Sequence, residues 1–186
     1  MLKPEIVVFA GPNGRGKSTI FNLAKVLYPY VNADDIKSSL HCTDLEAAER
    51  ATEIREKLLA ERKSFSFETV LSTPRNLDLL QRAKKQGYFI RIFYILTVNP
   101  KINALRVKAR VLNGGHDVPS DKIISRYEKA LKLLPELVKV ADIMHIYDNS
   151  QTIFRIFKKR KEKLFYWENN LWNKQHISEL VNLELI

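Results

Sequence analysis

Residues 5–18 read E-I-V-V-F-A-G-P-N-G-R-G-K-S, and this stretch decides the fold. Its first six residues are mostly apolar and rich in β-branched side chains, which is typical of a buried strand. From Gly11 to Ser18 it matches the pattern G-x-x-x-x-G-K-[ST], and apolar residues at helical spacing follow from Lys17 to about Leu27. Strand, glycine-rich loop and helix in this order predict a phosphate-binding loop, or P-loop.

The chemistry of phosphate binding explains the residue types in this loop. Glycines let the backbone curl so that N–H groups point at phosphate oxygens, and the start of the following helix favours anions. Lys17 can reach the β- and γ-phosphates, and the Ser18 hydroxyl can bind Mg²⁺. A chance glycine loop is the alternative, and the flanking strand and helix argue against it. We expect nucleotide contacts from Gly11, Pro12, Asn13, Gly14, Arg15, Gly16, Lys17, Ser18 and Thr19.

Predicted strands and helices alternate along the rest of the chain. Further strands are predicted at 30–33, 65–71, 88–98 and 141–147, and helices at 43–62, 74–86, 101–112 and 120–134. This alternation favours an α/β fold with a mostly parallel five-stranded sheet flanked by helices. We expect residues 1–149 to form the core, with a lid at about 100–132. Residues 150–186 are expected to form a hairpin and a helix that pack on the core, not an independent domain.

Carboxylates follow two of the predicted strands. The second strand leads into Asp34 and Asp35, and the third contains Glu68 followed by Thr69. The carboxyl ends of parallel strands share one crevice, so these residues should lie near the phosphate loop. Asp34 is the candidate base for an acceptor hydroxyl, while Glu68 and Thr69 are candidate acceptor contacts. The alternative for the aspartate pair is a helix N-cap. No apolar strand is predicted to end in the aspartate that mechanical ATPases use, which favours a kinase.

A basic helical region predicts a lid over the nucleotide. Arg106 and Arg110 are four residues apart and share a helix face, and Arg126 lies on the next helix. Arginine forks can neutralise charge on a transferring phosphoryl group, so Arg110 and Arg126 are catalytic candidates and Arg106 a nucleotide contact. A solvated basic face is the alternative. His116, in the Gly-Gly-His break, is a candidate acceptor contact or makes a hydrogen bond within its own loop.

Composition and charge narrow the class of protein. The chain has 186 residues, a hydrophobic fraction of 45% and a net charge of +10, values that fit one folded domain attracted to polyanions. Its apolar runs are too short to cross a bilayer, and we expect no cleaved leader. With Cys42 as the only cysteine, an internal disulfide is impossible and a reducing cytoplasm is the expected compartment.

Several separate segments together resemble the zeta-toxin family, and its small single-domain bacterial members most closely. They are the phosphate loop, V-N-A-D-D-I-K at 31–37, F-S-F-E-T at 65–69, N-P-K-I-N at 99–103 and R-V-x-N-G-G-H-D-V-P at 110–119. The resemblance spans roughly residues 6 to 148. It implies a P-loop kinase core that uses ATP or GTP with Mg²⁺ to phosphorylate the 3′-hydroxyl of UDP-N-acetylglucosamine. It also implies a small antitoxin protein that blocks the nucleotide site.

The resemblance also implies roles for single residues. By position, Asp34 falls on the base, Glu68 on the sugar-binding acid and Arg110 on the first lid arginine. Anchoring on Pro119 places His116 at the second lid position, whereas Arg126, the other candidate, lies further along the chain.

The acceptor stays open between two classes at this point. One is a nucleotide sugar. The other is a nucleotide or a polynucleotide end, or a nucleic-acid-associated ATPase activity, for which the basic run Lys158–Lys163 and the aromatic residues Phe165, Tyr166 and Trp167 beside it would supply contacts. A solvated hairpin turn is the ordinary alternative for that basic run.

Overall fold

A single seven-stranded sheet organises the chain. The computed structural model describes residues 3–14, 24, 26–114 and 117–186. Across the sheet the strand order is β2-β3-β1-β4-β5-β6-β7. In chain order the strands are β1 (Glu5–Ala10), β2 (Tyr30–Val31), β3 (Phe65–Thr69), β4 (Phe89–Leu96), β5 (Ile143–Asp148), β6 (Phe154–Arg160) and β7 (Lys163–Tyr166).

Six helices lie within the described residues. They are α1 (Ala33–Leu40), α2 (Asp44–Ala60), α3 (Arg75–Lys85), α4 (Pro100–Leu112), α5 (Ser120–Val140) and α6 (Lys174–Val181). The helix predicted from Lys17 lies largely outside the described residues.

The first five strands of the chain form the parallel part of the sheet, and the C-terminal hairpin extends it. β1 pairs in parallel with β3 and β4, β2 with β3, and β4 with β5. β6 adds antiparallel to β5, and β7 to β6. The predicted five-stranded sheet is therefore corrected to seven strands, because the unpaired edge of β5 accepts the hairpin as a continuation of the ladder. The α/β class and the mostly parallel arrangement are confirmed.

The apolar strands predicted from the sequence form the centre of the core. Residues 92–96 of β4 are buried without interruption, as expected for a central strand with both faces covered. Phe65 and Phe67 of β3 are fully buried, with ring centroids 6.1 Å apart. This rigid centre fixes the carboxyl ends of the strands, where the candidate site lies.

The start of α2 follows from a local sequence signal, whereas the end of α5 does not. Thr43 caps α2 with a complete capping box, since its side chain accepts from the N–H of Glu46 and the Glu46 side chain accepts from the N–H of Thr43. α5 was predicted to end at 134 but continues through Pro135 to Val140. Proline normally breaks a helix interior, but Leu134 and Leu137 on either side of it are fully buried. Their burial outweighs the lost hydrogen bond.

A stacked histidine on β5 gives the fold a predicted sensitivity to acid. The His145 ring stacks on Phe93 at 5.1 Å between centroids, and its buried Nδ1 has no hydrogen-bond partner among the described residues. Burial and, to a smaller extent, the positive charges of Arg155, Lys158 and Arg91 together lower the pKa of His145 to about 4. Since the folded-state pKa lies below the unfolded value of about 6.5, the associated stability is complete above pH 6.5 and is lost as the pH falls towards 4.

Replacing His145 by phenylalanine is therefore expected to flatten the decrease in Tm between pH 6.5 and 4. Phenylalanine keeps the stacking contact and removes the titrating group. The measurement is Tm against pH for both proteins, with the exposed His176→Asn as the control that should follow the wild type. Parallel curves for the wild type and His145→Phe would contradict the assignment.

Within the described ranges, no helix combines the length and apolar character that crossing a bilayer would need.

Candidate functional site

The candidate site is built where β1 and β3 end side by side. The N–H of Gly11, the first residue of the phosphate loop, donates to the carbonyl of Thr69 at 3.2 Å. Gly11 and Gly14 have φ angles of 126° and 75°, a region that favours glycine. A main-chain hydrogen bond thus joins the phosphate loop to the acidic end of β3, two segments that the sequence predicts to lie near each other.

Two cavities open on this edge of the sheet. The first, here called the inner cavity, has a volume of about 200 Å³ and is lined by Asn32, Asp34, Arg55, Glu68, Thr69 and Asn76, among others. The second, here called the lid cavity, has a volume of about 310 Å³ and is lined by Asn13, Asp34, Lys37, Pro119, Lys122 and Arg126, among others. Asp34 lines both cavities, so it borders the phosphate loop side as well as the Glu68 side.

The position of Asp34 follows from the start of α1. Asn32 is the N-cap, and its side-chain oxygen accepts from the N–H of Asp34 at 3.0 Å. The alternative interpretation of the aspartate pair as the helix N-cap does not hold, because Asn32 performs that role. Asp34 and Asp35 both lie in the first turn of α1, where the helix dipole favours their negative charge. Of the two, Asp34 lines the cavities.

Glu68 occupies the half-buried end of β3. The Tyr30 hydroxyl donates to Glu68 Oε2 at 3.2 Å, which holds one carboxylate oxygen beside β2. A carboxylate accepts several hydrogen bonds, so Glu68 can also accept from hydroxyl groups of a bound molecule. The structure thus brings Asp34, Glu68 and Thr69 to one cavity, as the strand-end argument predicts.

A sharp turn after β3 contributes residues to the lining of the inner cavity. Thr69 Oγ1 accepts from the N–H of Leu71 at 2.9 Å and from Asn76 Nδ2 at 2.8 Å. Leu71 has a φ angle of 58°, so the strand ends at Thr69 and not at Leu71 as predicted. Asn76 was missed by the sequence analysis, since nothing in its local pattern distinguishes it from a helix surface residue.

Arg55 is a second residue of the inner cavity that the sequence analysis missed. It is only 5% exposed, and its guanidinium lies over the Phe67 ring at 5.2 Å. Burial and, to a smaller extent, the positive charge of Arg75 together lower the pKa of Arg55 to about 10. A signal for it does exist, because Arg55 falls on the buried face of α2 formed by Ala47, Ala51 and Leu58. A charged residue at a core-facing helical position needs a partner or a function.

A chain of buried hydrogen bonds ties the phosphate loop to the lid region. Asn103 of α4 is fully buried, and its Nδ2 donates to the carbonyl of Asn13 at 2.5 Å. The Thr97 hydroxyl donates to Asn103 Oδ1, and the Tyr127 hydroxyl of α5 donates to the Thr97 carbonyl at 2.5 Å. A side-chain carbon at Gly14 would lie 2.5 Å from the Asn103 carbonyl oxygen, so glycine is required there.

The arginines of the predicted lid lie in three different environments. Arg126 lines the lid cavity together with Asn13 and Asp34. Arg110 lies exposed in the last turn of α4 and is not among the residues that line either cavity. Arg106 donates to the carbonyls of Asn149 and Ser150 at 2.6 and 3.1 Å. A direct bond from Arg106 to nucleotide would cost these contacts, and its nucleotide role stays a prediction.

An aspartate, Asp148, does end the apolar strand β5, but it lines neither of the two cavities. β5 extends one residue beyond its predicted end to Asp148, which is 2% exposed. Its Oδ1 accepts from the Ser150 hydroxyl at 2.6 Å and from the Ser150 N–H at 3.2 Å. Asp148 therefore holds the turn whose carbonyls bind Arg106.

Part of the predicted site lies outside the described residues. This holds for Arg15, Gly16, Lys17, Ser18, Thr19 and His116. Within the described ranges no group of three or more His, Cys, Asp or Glu residues is arranged to hold a metal ion. The predicted Mg²⁺ contact of Ser18 thus stays a prediction.

Comparison with solved structures agrees with this architecture. The PezAT chromosomal toxin-antitoxin system of Streptococcus pneumoniae matches with a TM-score of 0.60 and 17% identity, over 100% of this chain and 81% of that one. AvrRxo1-ORF1:AvrRxo1-ORF2 with sulphate ions gives a TM-score of 0.70 and 13% identity, over 96% and 64%. The Pnkp1/Rnl/Hen1 RNA repair complex gives 0.56 and 18%, over 71% and 45%. At these identities the likenesses show the fold alone.

Comparison of sequences identifies the family. An uncharacterised protein of Haemophilus influenzae is 28% identical over 134 residues, which are 68% of this chain and 95% of the relative. The family model for zeta toxin matches residues 24–170, well over half of the chain. This match continues past residue 148, where the resemblance in the sequence motifs ends, into the C-terminal hairpin. The chain is therefore a P-loop phosphotransferase that belongs to the zeta toxin family.

Proposed function

We propose that the protein is an ATP-dependent kinase that transfers the γ-phosphate to a hydroxyl of a small phosphorylated acceptor bound in the inner cavity. The observation that carries this proposal is the position of Asp34 between the two cavities. The lid cavity contains phosphate-loop and lid residues, and the inner cavity contains Glu68. A carboxylate between a phosphoryl donor and a hydroxyl acceptor is suitably placed to take the acceptor's proton.

In this proposal each site residue has its own role in phosphoryl transfer. Asp34 accepts the proton of the attacking hydroxyl, and Glu68 and Thr69 orient the acceptor through its hydroxyl groups. Arg126 offers a guanidinium to the negative charge that develops on the transferring phosphoryl group, and Arg110 is a second candidate for this role. Lys17 and Ser18 of the phosphate loop would bind the nucleotide phosphates and Mg²⁺. That ion, when bound, supplies charge neutralisation of the phosphates.

A UDP-N-acetyl amino sugar is the proposed acceptor. Support comes from membership of the zeta toxin family and from Glu68, which lies at the position of the sugar-binding acid in the resemblance. The inner cavity is small, with a volume of about 200 Å³, which suits one sugar-sized group better than a polymer. ATP is the proposed donor and GTP its alternative.

The position of the basic hairpin argues against a polynucleotide acceptor. Its turn lies between β6 and β7, at the opposite edge of the sheet from β2 and β3, beside which the inner cavity opens. A nucleic acid strand held by Lys158–Lys163 would have to cross the whole sheet to reach Asp34. Nucleic acid binding at the hairpin would therefore be separate from the phosphoryl transfer proposed here.

A small antitoxin protein is the proposed macromolecular partner. Support comes from the family and from the net charge of +10, which favours an acidic partner. Co-expression with a protein encoded beside this gene should relieve toxicity and yield a stable complex. Toxicity that the neighbour does not relieve would count against this partner.

A substrate screen tests the proposed reaction. Purified protein would be incubated with Mg·ATP or Mg·GTP and with nucleotide sugars, nucleotides and oligonucleotides that carry a 5′-hydroxyl. Mass spectrometry would then search for the gain of one phosphate. We expect phosphorylated UDP-N-acetylglucosamine. A phosphorylated oligonucleotide alone would overturn the acceptor, and no phosphorylated product in the panel would remove the support for this acceptor class.

A further inference from the structure

The inner cavity is lined by a buried cation, Arg55, which forms no salt bridge with any of the described residues. Only 5% of the Arg55 surface is exposed to solvent. One of its nitrogens donates to Thr52 at 3.0 Å, and its buried Nε has no hydrogen-bond partner among the described residues. An unpaired buried guanidinium is costly, so a fold that retains one next to a cavity is suited to bind an anion there.

The acid next to Arg55 in the chain is already paired with another arginine. Glu56 is the adjacent acid, and its two carboxylate oxygens accept from Arg82 at 2.5 and 2.9 Å. Arg75 lines the same cavity, and its charge adds to that of Arg55. The lining of the inner cavity therefore combines two arginines, Arg55 and Arg75, with two acids, Asp34 and Glu68.

An unpaired acceptor accompanies the two cations. Asn76 lines the inner cavity, its Nδ2 donates to Thr69, and its buried Oδ1 has no partner among the described residues. Buried polar atoms are normally paired, so this oxygen is suited to accept from an N–H or O–H of a bound molecule. An anion site and a hydroxyl or amide site thus lie side by side.

We propose that Arg55 and Arg75 bind a phosphate or diphosphate group of the acceptor, while Asn76 Oδ1 accepts from a neighbouring hydroxyl or amide of the same molecule. This inference rests on the proposed function, in which the acceptor occupies the inner cavity. Two guanidinium groups match the charge of about −1.5 to −2 that a phosphate monoester carries at neutral pH, or the two single charges of a diphosphate esterified at both ends, and each guanidinium can donate two parallel hydrogen bonds. A carboxylate would need only one of them.

Binding of inorganic phosphate tests this site without any catalysis. The protein is first saturated with Mg²⁺ and a non-hydrolysable ATP analogue, so that the phosphate loop is filled. Inorganic phosphate is then titrated and followed by ³¹P line broadening. Arg55→Met keeps the contact with Phe67 and is expected to weaken phosphate binding by roughly ten- to a hundredfold, because a charge-assisted pair is lost. Arg55→Lys keeps the charge without the fork and should lie between Arg55→Met and the wild type.

A matched control separates this site from a general effect of charge. Arg50 lies on the same helix, is exposed and pairs with Glu53, so Arg50→Met makes the same change in net charge and should bind phosphate like the wild type. No phosphate binding to the wild type, or equal binding to Arg55→Met, would overturn the proposal. Malonate binding that exceeds phosphate binding would overturn the phosphate assignment.

The folded state of the variant provides a second readout. Burial lowers the pKa of Arg55 to about 10, so the guanidinium stays charged at neutral pH but its charge costs folding free energy. Removing the charge in Arg55→Met should therefore leave Tm unchanged or raise it. If Arg55 serves binding, Arg55→Met loses phosphate affinity and keeps its Tm. If Arg55 serves only the structure, the same replacement lowers Tm.

Kinetics distinguish failure of this inference from failure of the proposed function. With UDP-N-acetylglucosamine as the acceptor, Arg55→Met is expected to raise KM by roughly ten- to a hundredfold with a smaller change in kcat. With N-acetylglucosamine, which lacks the diphosphate, wild type and variant should react alike. If neither acceptor is phosphorylated but phosphate binding still requires Arg55, the proposed acceptor fails and the anion site stands. If the variant's KM for UDP-N-acetylglucosamine is unchanged, the inference is wrong although the kinase activity is confirmed.

Discussion

Replacing Asp34 by asparagine is expected to reduce the rate of phosphoryl transfer by roughly 10²- to 10⁴-fold, the usual contribution of a general base. Asparagine has nearly the same shape but cannot take the proton of the acceptor hydroxyl. Because Asp34 lines both cavities, the change removes the one described carboxylate that the donor and acceptor sides share. Nucleotide affinity should stay close to that of the wild type, since the phosphate loop supplies the phosphate contacts.

The neighbouring aspartate offers a matched control for this experiment. Asp35 lies in the same first turn of α1, so Asp35→Asn removes the same charge and the same interaction with the helix dipole. It does not line either cavity and should keep wild-type kcat. Single-turnover rates and equilibrium nucleotide binding would be measured for both variants. Undiminished transfer by Asp34→Asn, or an equal loss in Asp35→Asn, would remove Asp34 from the role of base.

The elements that the sequence predicted well are those set by local patterns. β1 was predicted at its observed bounds, because an apolar run next to a glycine-rich loop has few other interpretations. The capping box at Thr43 and Glu46 marks the start of α2 in the sequence itself. Strand ends then place Asp34 and Glu68 near the phosphate loop through the topology alone. A parallel α/β fold therefore reveals much of its site before any coordinates exist.

The features that the sequence analysis missed depend on contacts between distant segments. In the sequence, Arg55 is one of several charged residues on a helix with both charged and apolar side chains. Its buried position follows only from β3, which places the Phe67 ring against its guanidinium. The Asn76 side chain gains its role from Thr69 across the turn after β3. Local propensity predicts a helix end at Pro135, but the helix continues to Val140 because the leucines around Pro135 are buried. In each case tertiary packing decides, and local propensity carries little information about it.

The pairing of the C-terminal hairpin follows the same principle. Its two strands and basic turn were predicted, but their partner was not, because a hairpin does not specify which sheet edge it joins. β5 offers that edge, with Ile143 opposite Arg160 and Asp148 opposite Phe154. The pairing moves the basic turn away from the candidate site, and this placement weakens the nucleic acid interpretation more than the charge count could.

The buried contact between Asn103 and the phosphate loop leads to the second large expected effect. Asn103→Leu removes the donor to the Asn13 carbonyl and the acceptor of the Thr97 hydroxyl while filling a similar volume. Leaving buried groups unpaired costs about 2 kcal/mol, which corresponds to a drop in Tm of roughly 4–8 °C for a chain of this size. Nucleotide affinity should also fall by roughly tenfold, because the loop loses the contact that fixes residues 13 and 14.

A second variant separates the effect on the loop from the effect on stability. Thr97→Val removes the hydroxyl that donates to Asn103 but leaves the bond from Asn103 to Asn13 in place. It should lower Tm and leave nucleotide affinity nearly unchanged, whereas Asn103→Leu lowers both. Tm and equilibrium nucleotide binding, measured on the same preparations, give the comparison. If Asn103→Leu binds nucleotide as tightly as the wild type, the contact serves stability alone. If both variants lose affinity equally, the loop depends on the whole buried network between β4, α4 and α5 and not on this one bond.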